Sequence, residues 1–200
     1  MGIRSRLFRG GLVVLLGLWS FRAGGGEPGL YERHRKAAAQ GNPTAQLHFG
    51  RLYYTGQEVP QDFEEAARWY RRAAGSGLAE AQFQFGLMLE EGRGVPQSDQ
   101  EAAQWYFRAA EQGHVDARIF LGVMYRHGRG GLPQDPVVAL MWFNLAAHLA
   151  AQGGQKEARL ALLFQESLIK QLNALQISHA KHLVDQYLEA HPVGRPPGIP

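Results

Sequence analysis

No cysteine occurs among the 200 residues, which removes disulfide frameworks, thiolate metal sites and cysteine nucleophiles together. That absence leaves the compartment open, because an exported chain can do without disulfides. Long apolar runs are missing as well. The longest stretch, GGLVVLLGLWSF at residues 10–21, is well short of the roughly 20 residues that a spanning helix needs. No cysteine follows it, which excludes a lipidated anchor, and the segment before it lacks the adjacent arginines of a twin-arginine signal. Charge of one sign is also scarce once position is considered. The formal charge is +3 with a pI near 9.3, yet Arg4, Arg6, Arg9 and Arg22 precede the first acid, Glu27. Without them the remainder is close to neutral and offers no broad electrostatic footprint for phosphate backbones, so no nucleic-acid partner is expected.

Residues 1–26 have the three-part layout of a secretory signal: arginines, a short apolar run, then small residues. Cleavage after Gly25 would put Ala23 at the minus-three position. The alternative is an uncleaved anchor, which would then be the chain's only membrane contact. Either way the expected location is periplasmic or secreted.

What the chain does have is hydrophobic content, at 45%, and 25 glycines, many of which recur at one period. Gly41, Gly77 and Gly113 are 36 residues apart, as are Ala45, Ala81 and Ala117, and Gly50, Gly86 and Gly122. Gly56, Gly92 and Gly128 follow the same step. Beyond Gly131 one extra residue enters, so that Trp69, Trp105 and Trp142 step by 36 and then 37. A period of this length marks stacked supersecondary units.

Within a unit, Ala45, Phe49, Leu52 and Tyr53 share one helical face, and Ala66, Trp69, Tyr70, Ala73 and Ala74 share another. Between them Gly56 reads as a left-handed terminator and Pro60 as a stop. Asp62 with Glu65, and Ser98 with Glu101, read as capping boxes; Asp135 followed by Pro136 is a capping acid with proline at the first helical position. Glycine inside a helix costs about 1 kcal/mol relative to alanine. Gly50, Gly86 and Gly122 therefore imply close approach by a neighbouring helix, with the Trp and Tyr of the paired helix opposite them. The predicted fold is all-α, an α-solenoid of stacked antiparallel helix pairs.

These residues resemble the Sel1-like repeat family, a tetratricopeptide-like class whose units run Ala, Leu-Gly, Tyr, Gly-x-Gly-Val, Gln/Lys-Asp, Ala, Trp, Ala-Ala and Gly. Residues 79–113 read AEAQFQFGLMLEEGRGVPQSDQEAAQWYFRAAEQG, and the resemblance spans roughly 37–152 in three units. Glu58 stands where Gly94 and Gly130 complete the Gly-x-Gly loop, Leu89 replaces the tyrosine of positions 53 and 125, and the third loop is one residue longer. These departures bear on loop geometry and leave the fold unaltered. The expected organisation is a leader at 1–26, a half-unit helix at 27–40, three repeats at 41–152, capping helices at 153–191 and a disordered tail at 192–200. The resemblance implies an exported bacterial adaptor that binds a protein or peptide. The alternative function is a cell-wall hydrolase or penicillin-interacting enzyme.

Little positive chemistry supports the enzyme. Ser167 and Lys170 match the serine-x-x-lysine motif of penicillin-recognising enzymes, but neither Ser-Asp-Asn nor Lys-Thr-Gly accompanies them. His179 and His182 share a helical face, with Asp185 or His191 as the nearest further ligands, fewer than a closed metal site requires. The loops Gly92-Arg93-Gly94 and Gly128-Arg129-Gly130-Gly131 lack the lysine and hydroxyl of a phosphate loop and read as turns. Trp69, Tyr70, Trp105, Tyr106, Trp142 and Phe143 recur at the repeat period, which marks core and not a base-stacking platform. No catalytic residue, metal or cofactor is expected.

A partner surface can be deduced from helical phase. If 45, 49, 52 and 56 face inward, then His48, Arg51 and Thr55 face outward. Their equivalents are Gln84, Leu87 and Glu91, then Phe120, Val123 and His127. The expectation is a groove along this stripe, becoming apolar toward the third unit. The competing reading is that the cap helices cover the apolar members.

Overall fold

The structure is a computed structural model that describes residues 30–153 and 155–191. The leader and the tail read from the sequence lie outside the described residues. Within them the chain forms α1 (Leu30–Ala39), α2 (Pro43–Thr55), α3 (Phe63–Gly75), α4 (Ala79–Glu91), α5 (Asp99–Glu111), α6 (Val115–His127), α7 (Pro136–Gly153), α8 (Gln155–Ile169) and α9 (Ala174–Ala190). Helices α2 and α3, α4 and α5, and α6 and α7 pack as pairs, and successive pairs join through α3 on α4 and α5 on α6. Helix α1 covers α2 as a half-unit, while α8 and α9 both pack on α7. This is an all-α solenoid. No described helix is long and apolar enough to cross a membrane.

Local chemistry explains where the helices start and stop. Asn42 accepts from the Ala45 amide at 3.0 Å ahead of Pro43, and Gly56, at φ 72°, ends α2 while its N–H donates to the Leu52 carbonyl. Asp62 accepts from Glu65 N at 2.9 Å and Ser98 from Glu101 N at 3.2 Å. The reciprocal half of the expected capping boxes is not made. Asp62 N–H donates instead to Tyr53 O and Ser98 N–H to Leu89 O, both at 2.9 Å, so each cap also ties its helix to the preceding one. Glu65, released from that duty, pairs with Arg68. Asp135 accepts from the amides of both Val137 and Val138. The full capping box belongs to Asn173 and Gln176 at the start of α9.

The interior glycines answer to the rings of the paired helix. A Cβ on Gly86 would lie 2.6 Å from the Tyr106 ring, one on Gly122 would lie 2.5 Å from Phe143, and Gly50 meets Tyr70 in the same way. Tyrosine and phenylalanine, not tryptophan, therefore provide the bulk opposite. Trp69 and Trp105 sit to one side, half-buried against Phe49 and Phe85 at 5.5 Å, with Arg72 and Arg108 stacked over them. The alanines at 66, 67, 73, 74, 102, 103, 109 and 110 are all buried, which lets the helices approach closely enough for a main core to run from α3 to α7, with smaller clusters at either end of the stack.

A buried polar contact repeats with the period. Gln46 Nε2 donates to Ala38 O at 3.2 Å, Gln82 Nε2 to Ala74 O at 3.3 Å, and Arg118 Nε to Ala110 O at 3.0 Å. Each fastens the first helix of a unit to the last turn of the helix before it. Arg118 reaches further, donating to Leu145 O at 3.1 Å.

Glu58 has φ 65°, so the first loop keeps a left-handed residue despite lacking glycine there. That conformation costs a non-glycine residue about 1–2 kcal/mol, partly offset by the greater unfolded-state freedom of glycine. Glu58→Gly is expected to stabilise the fold by about 0.5–1 kcal/mol, and a thermal melt followed by circular dichroism should rise by about 2–3 °C. An unchanged or lower midpoint would show that the loop carries no such strain.

Candidate functional site

The residues on the outward stripe divide into two groups. His48, Arg51, Thr55, Glu91 and His127 are exposed, while Gln84, Leu87, Phe120 and Val123 are half-buried. The Phe120 ring lies 5.4 Å from Phe83 and 5.3 Å from Tyr106, so the preceding unit holds it. Leu87 packs on the main core, and Val123 on the cluster that α7 shares with Ala161 and Leu168 of α8. The apolar drift along the stripe is thus tied to packing between neighbours, and a cap helix accounts for only part of it. The accessible ribbon is polar and strongest in the first unit.

Around Arg51 the ribbon carries an interacting set of polar groups. His34 of α1 and His48 of α2 face each other with ring centroids 4.9 Å apart. Glu80 accepts from Gln84 Nε2 at 2.9 Å and lies 3.1 Å from His114 Nε2. Because His114 Nδ1 accepts from the Ala117 amide, its Nε2 carries the proton and donates to Glu80. This hydrogen bond, more than the charge of Arg51, holds the Glu80 carboxyl below its ordinary range. Burial pushes the Tyr70 hydroxyl up to about 12, with Arg51 opposing the rise. Helical phase along α2, α4 and α6 does not point to His34, Glu80 or His114, because His34 belongs to the half-unit and the other two sit at helix starts. The recurrence of position 114 at Asn42 and Leu78, all three serving as N-caps, is the signal that could have found it.

The glycine-arginine loops do more than turn the chain. Arg93 donates to the Tyr54 hydroxyl at 2.6 Å and lies over the Phe63 ring. One unit later Arg129 bonds Asp99 at 3.0 Å and pairs with Glu90 at 3.0 Å. Each loop therefore reaches back and fastens its unit to the pair before it. Gly94 and Gly130 permit this by lying against the backbone at Phe63 and Asp99.

The residues weighed for catalysis or metal binding do not assemble into a site among the described residues. Lys170 Nζ bonds Glu166 at 2.8 Å and Ser167 Oγ accepts from Arg126 at 3.5 Å, so the serine faces a cation and not a base. His179, His182 and Asp185 are exposed on α9, and the His191 ring stacks on Tyr187 at 4.3 Å. Among the described residues no three histidine, cysteine, aspartate or glutamate side chains are grouped so that they could hold a metal ion.

Comparison with known proteins follows the same outline. A family model described as Sel1 repeat matches residues 43–78, 79–114 and 115–150. The crystal structure of a Sel1 repeat protein from Oxalobacter formigenes is similar at 36% identity and a TM-score of 0.57, covering 66% of this chain and 96% of that one. The protective antigen c5321 of uropathogenic Escherichia coli, described as displaying an SLR fold, is similar at 26% identity and a TM-score of 0.59. It covers 85% of this chain, which spans 44% of that protein. No curated protein matches.

Proposed function

The chain belongs to the Sel1 repeat family, and from that premise we propose that it is an adaptor of the bacterial envelope that holds a polypeptide segment along the ribbon from His48 to Glu91. Sel1 repeats generally act as non-catalytic scaffolds for protein interaction. The observation that carries the reading is a contrast within the repeat. Buried positions keep alanine, glycine or an aromatic ring from copy to copy, while positions 55, 91 and 127, all exposed, carry threonine, glutamate and histidine on the same backbone. Identical scaffold with unlike exposed side chains is how a solenoid presents one binding surface. Export is part of the proposal and is supported by the layout of residues 1–26.

Side chains on this ribbon can present hydrogen-bonding groups of both polarities within one stretch. Arg51 donates, the Glu80 carboxylate accepts, and Gln84 does both. An extended polypeptide, with its own alternating donors and acceptors, suits such a surface better than an anionic polymer. Photo-crosslinking in cells tests the proposal. A benzophenone amino acid placed at 48, 51 or 84 is expected to give one discrete protein adduct in the periplasmic fraction, and the same probe at Arg71 or Gln104 on the opposite face is expected to give none. Adducts from the opposite face alone would refute the ribbon, and adducts found only in the cytosol would refute the envelope.

A further inference from the structure

Helix α8 ends the stack in an unusual way. The first helices of the inner pairs, α4 and α6, are flanked by the preceding pair and by their own partner. Helix α8 lies on α7, but α9 turns back to pack on α7 as well and makes no close backbone packing with α8. Ala161 and Leu168 of α8 are buried, and Phe164 stacks on Phe143 at 5.1 Å. On the outer side Leu162 is 52% exposed and Leu163 57% exposed. These two form an adjacent exposed apolar pair on one helix, whereas Leu175, at 82% exposed, stands in the first turn of α9 without a leucine beside it.

We propose that this face of α8 pairs with the same face of a second copy of the chain. Charge pattern singles out that occupant. Arg159, Leu162, Leu163, Glu166 and Lys170 follow the three-four spacing that places residues on one helical face. Arg159 and Glu166 stand two turns apart with the leucines midway. When two such helices cross antiparallel about a two-fold axis through the leucines, Arg159 of each meets Glu166 of the other, and Leu162 meets Leu163. The face is therefore complementary to itself in both charge and apolarity, which is the condition for an isologous contact. Glu166 now bonds Lys170 along the helix at 2.8 Å, with both side chains exposed, so it is free to accept a second cation. The contact is one helix wide and thus small for a stable interface, and the dimer forms in the micromolar range, not tighter.

Sedimentation velocity of the purified protein across about 1–100 μM, at low and at moderate salt, tests this directly. The expected result is a concentration-dependent shift from monomer to dimer that weakens with salt. Leu163→Glu is expected to raise the dissociation constant at least tenfold while the helical circular dichroism stays unchanged. Arg159→Glu alone should weaken the dimer, and Arg159→Glu combined with Glu166→Arg should restore it, since exchanging the charges regenerates both cross pairs. A wild-type protein that stays monomeric throughout, with Leu163→Glu exposing residues 192–200 to protease, would overturn the proposal in favour of the chain's own C-terminal segment over these leucines. A dimer that survives Leu163→Glu would overturn it too, by locating association elsewhere.

Discussion

Gly94→Ala is expected to lower the free energy of unfolding by about 3 kcal/mol, and Gly77→Ala by only about 1 kcal/mol, although the two glycines share a left-handed backbone. Gly94 has φ 68° and Gly77 φ 89°, so each substitution pays the steric cost of that conformation, about 1–2 kcal/mol. They differ in what a methyl group would meet. At Gly77 there is nothing within 4 Å, whereas at Gly94 the new carbon would collide with the Phe63 carbonyl and lie 2.6 Å from the Glu64 amide. These atoms belong to the first turn of α3 and cannot rotate away, so the loop itself must move. Overpacking of that sort typically costs a further 1–3 kcal/mol. Urea unfolding followed at 222 nm measures both variants. Equal losses would show that Gly94 is needed for its dihedral angles alone and that the loop does not bear on α3.

Gly86→Ala should destabilise by about 2 kcal/mol, against the intrinsic preference of a helix for alanine. Gly86 lies inside α4 with ordinary helical geometry, and there the exchange should favour the helix by about 1 kcal/mol if nothing else intervened. The Tyr106 ring intervenes at 2.6 Å. That ring is buried, and its hydroxyl donates to Glu90 Oε2 at 2.7 Å, so it is held at both ends and cannot tilt aside. The sign of the effect is therefore diagnostic. A midpoint about 4–8 °C lower in thermal melts is the expected outcome, and removal of the obstacle in the Gly86→Ala, Tyr106→Leu double variant should recover part of the loss relative to the sum of the single changes. A stabilised single variant would mean that α4 and α5 lie further apart.

The pairing of helices and their stacking were legible in the sequence because the responsible residues are few in kind and strictly periodic. Alanine, glycine and one ring at fixed steps specify a close-packed interface almost without further information, and Gly50, Gly86 and Gly122 each met a ring as expected. Polar contacts were harder to read. Gln46, Gln82 and Arg118 look like surface residues by type, yet all three are buried and donate to a backbone carbonyl of the preceding helix. Arginine replaces glutamine in the third copy, which hid the equivalence. The capping boxes were half legible for a related reason. The side chain of a cap is local and can be read from spacing, whereas the competitor for its own amide, such as the Tyr53 carbonyl for Asp62, comes from another helix.

The candidate surface shows the same division. Helical phase correctly placed His48, Arg51 and Thr55 toward solvent. It could not foresee that Phe120 would rest on Phe83 and Tyr106, because phase describes one helix and says nothing of how far the next is offset. Arg93 and Arg129 were read as turn residues since each is flanked by glycines. Their role depends on Tyr54 and Asp99, at sequence separations of 39 and 30.

Those two arginines give the stack a direction. The loop of a later unit supplies the fastener for the unit before it, never the reverse: Arg93 reaches back to Tyr54, and Arg129 to Glu90 and Asp99. Shortening the protein from its beginning leaves each surviving junction with its clasp, because the clasp lies downstream of what it holds. Shortening it from its end always strips the clasp from the last pair that remains. During synthesis the same asymmetry means that a pair of helices can assemble as soon as it emerges, yet is locked only when the chain that follows has come into reach.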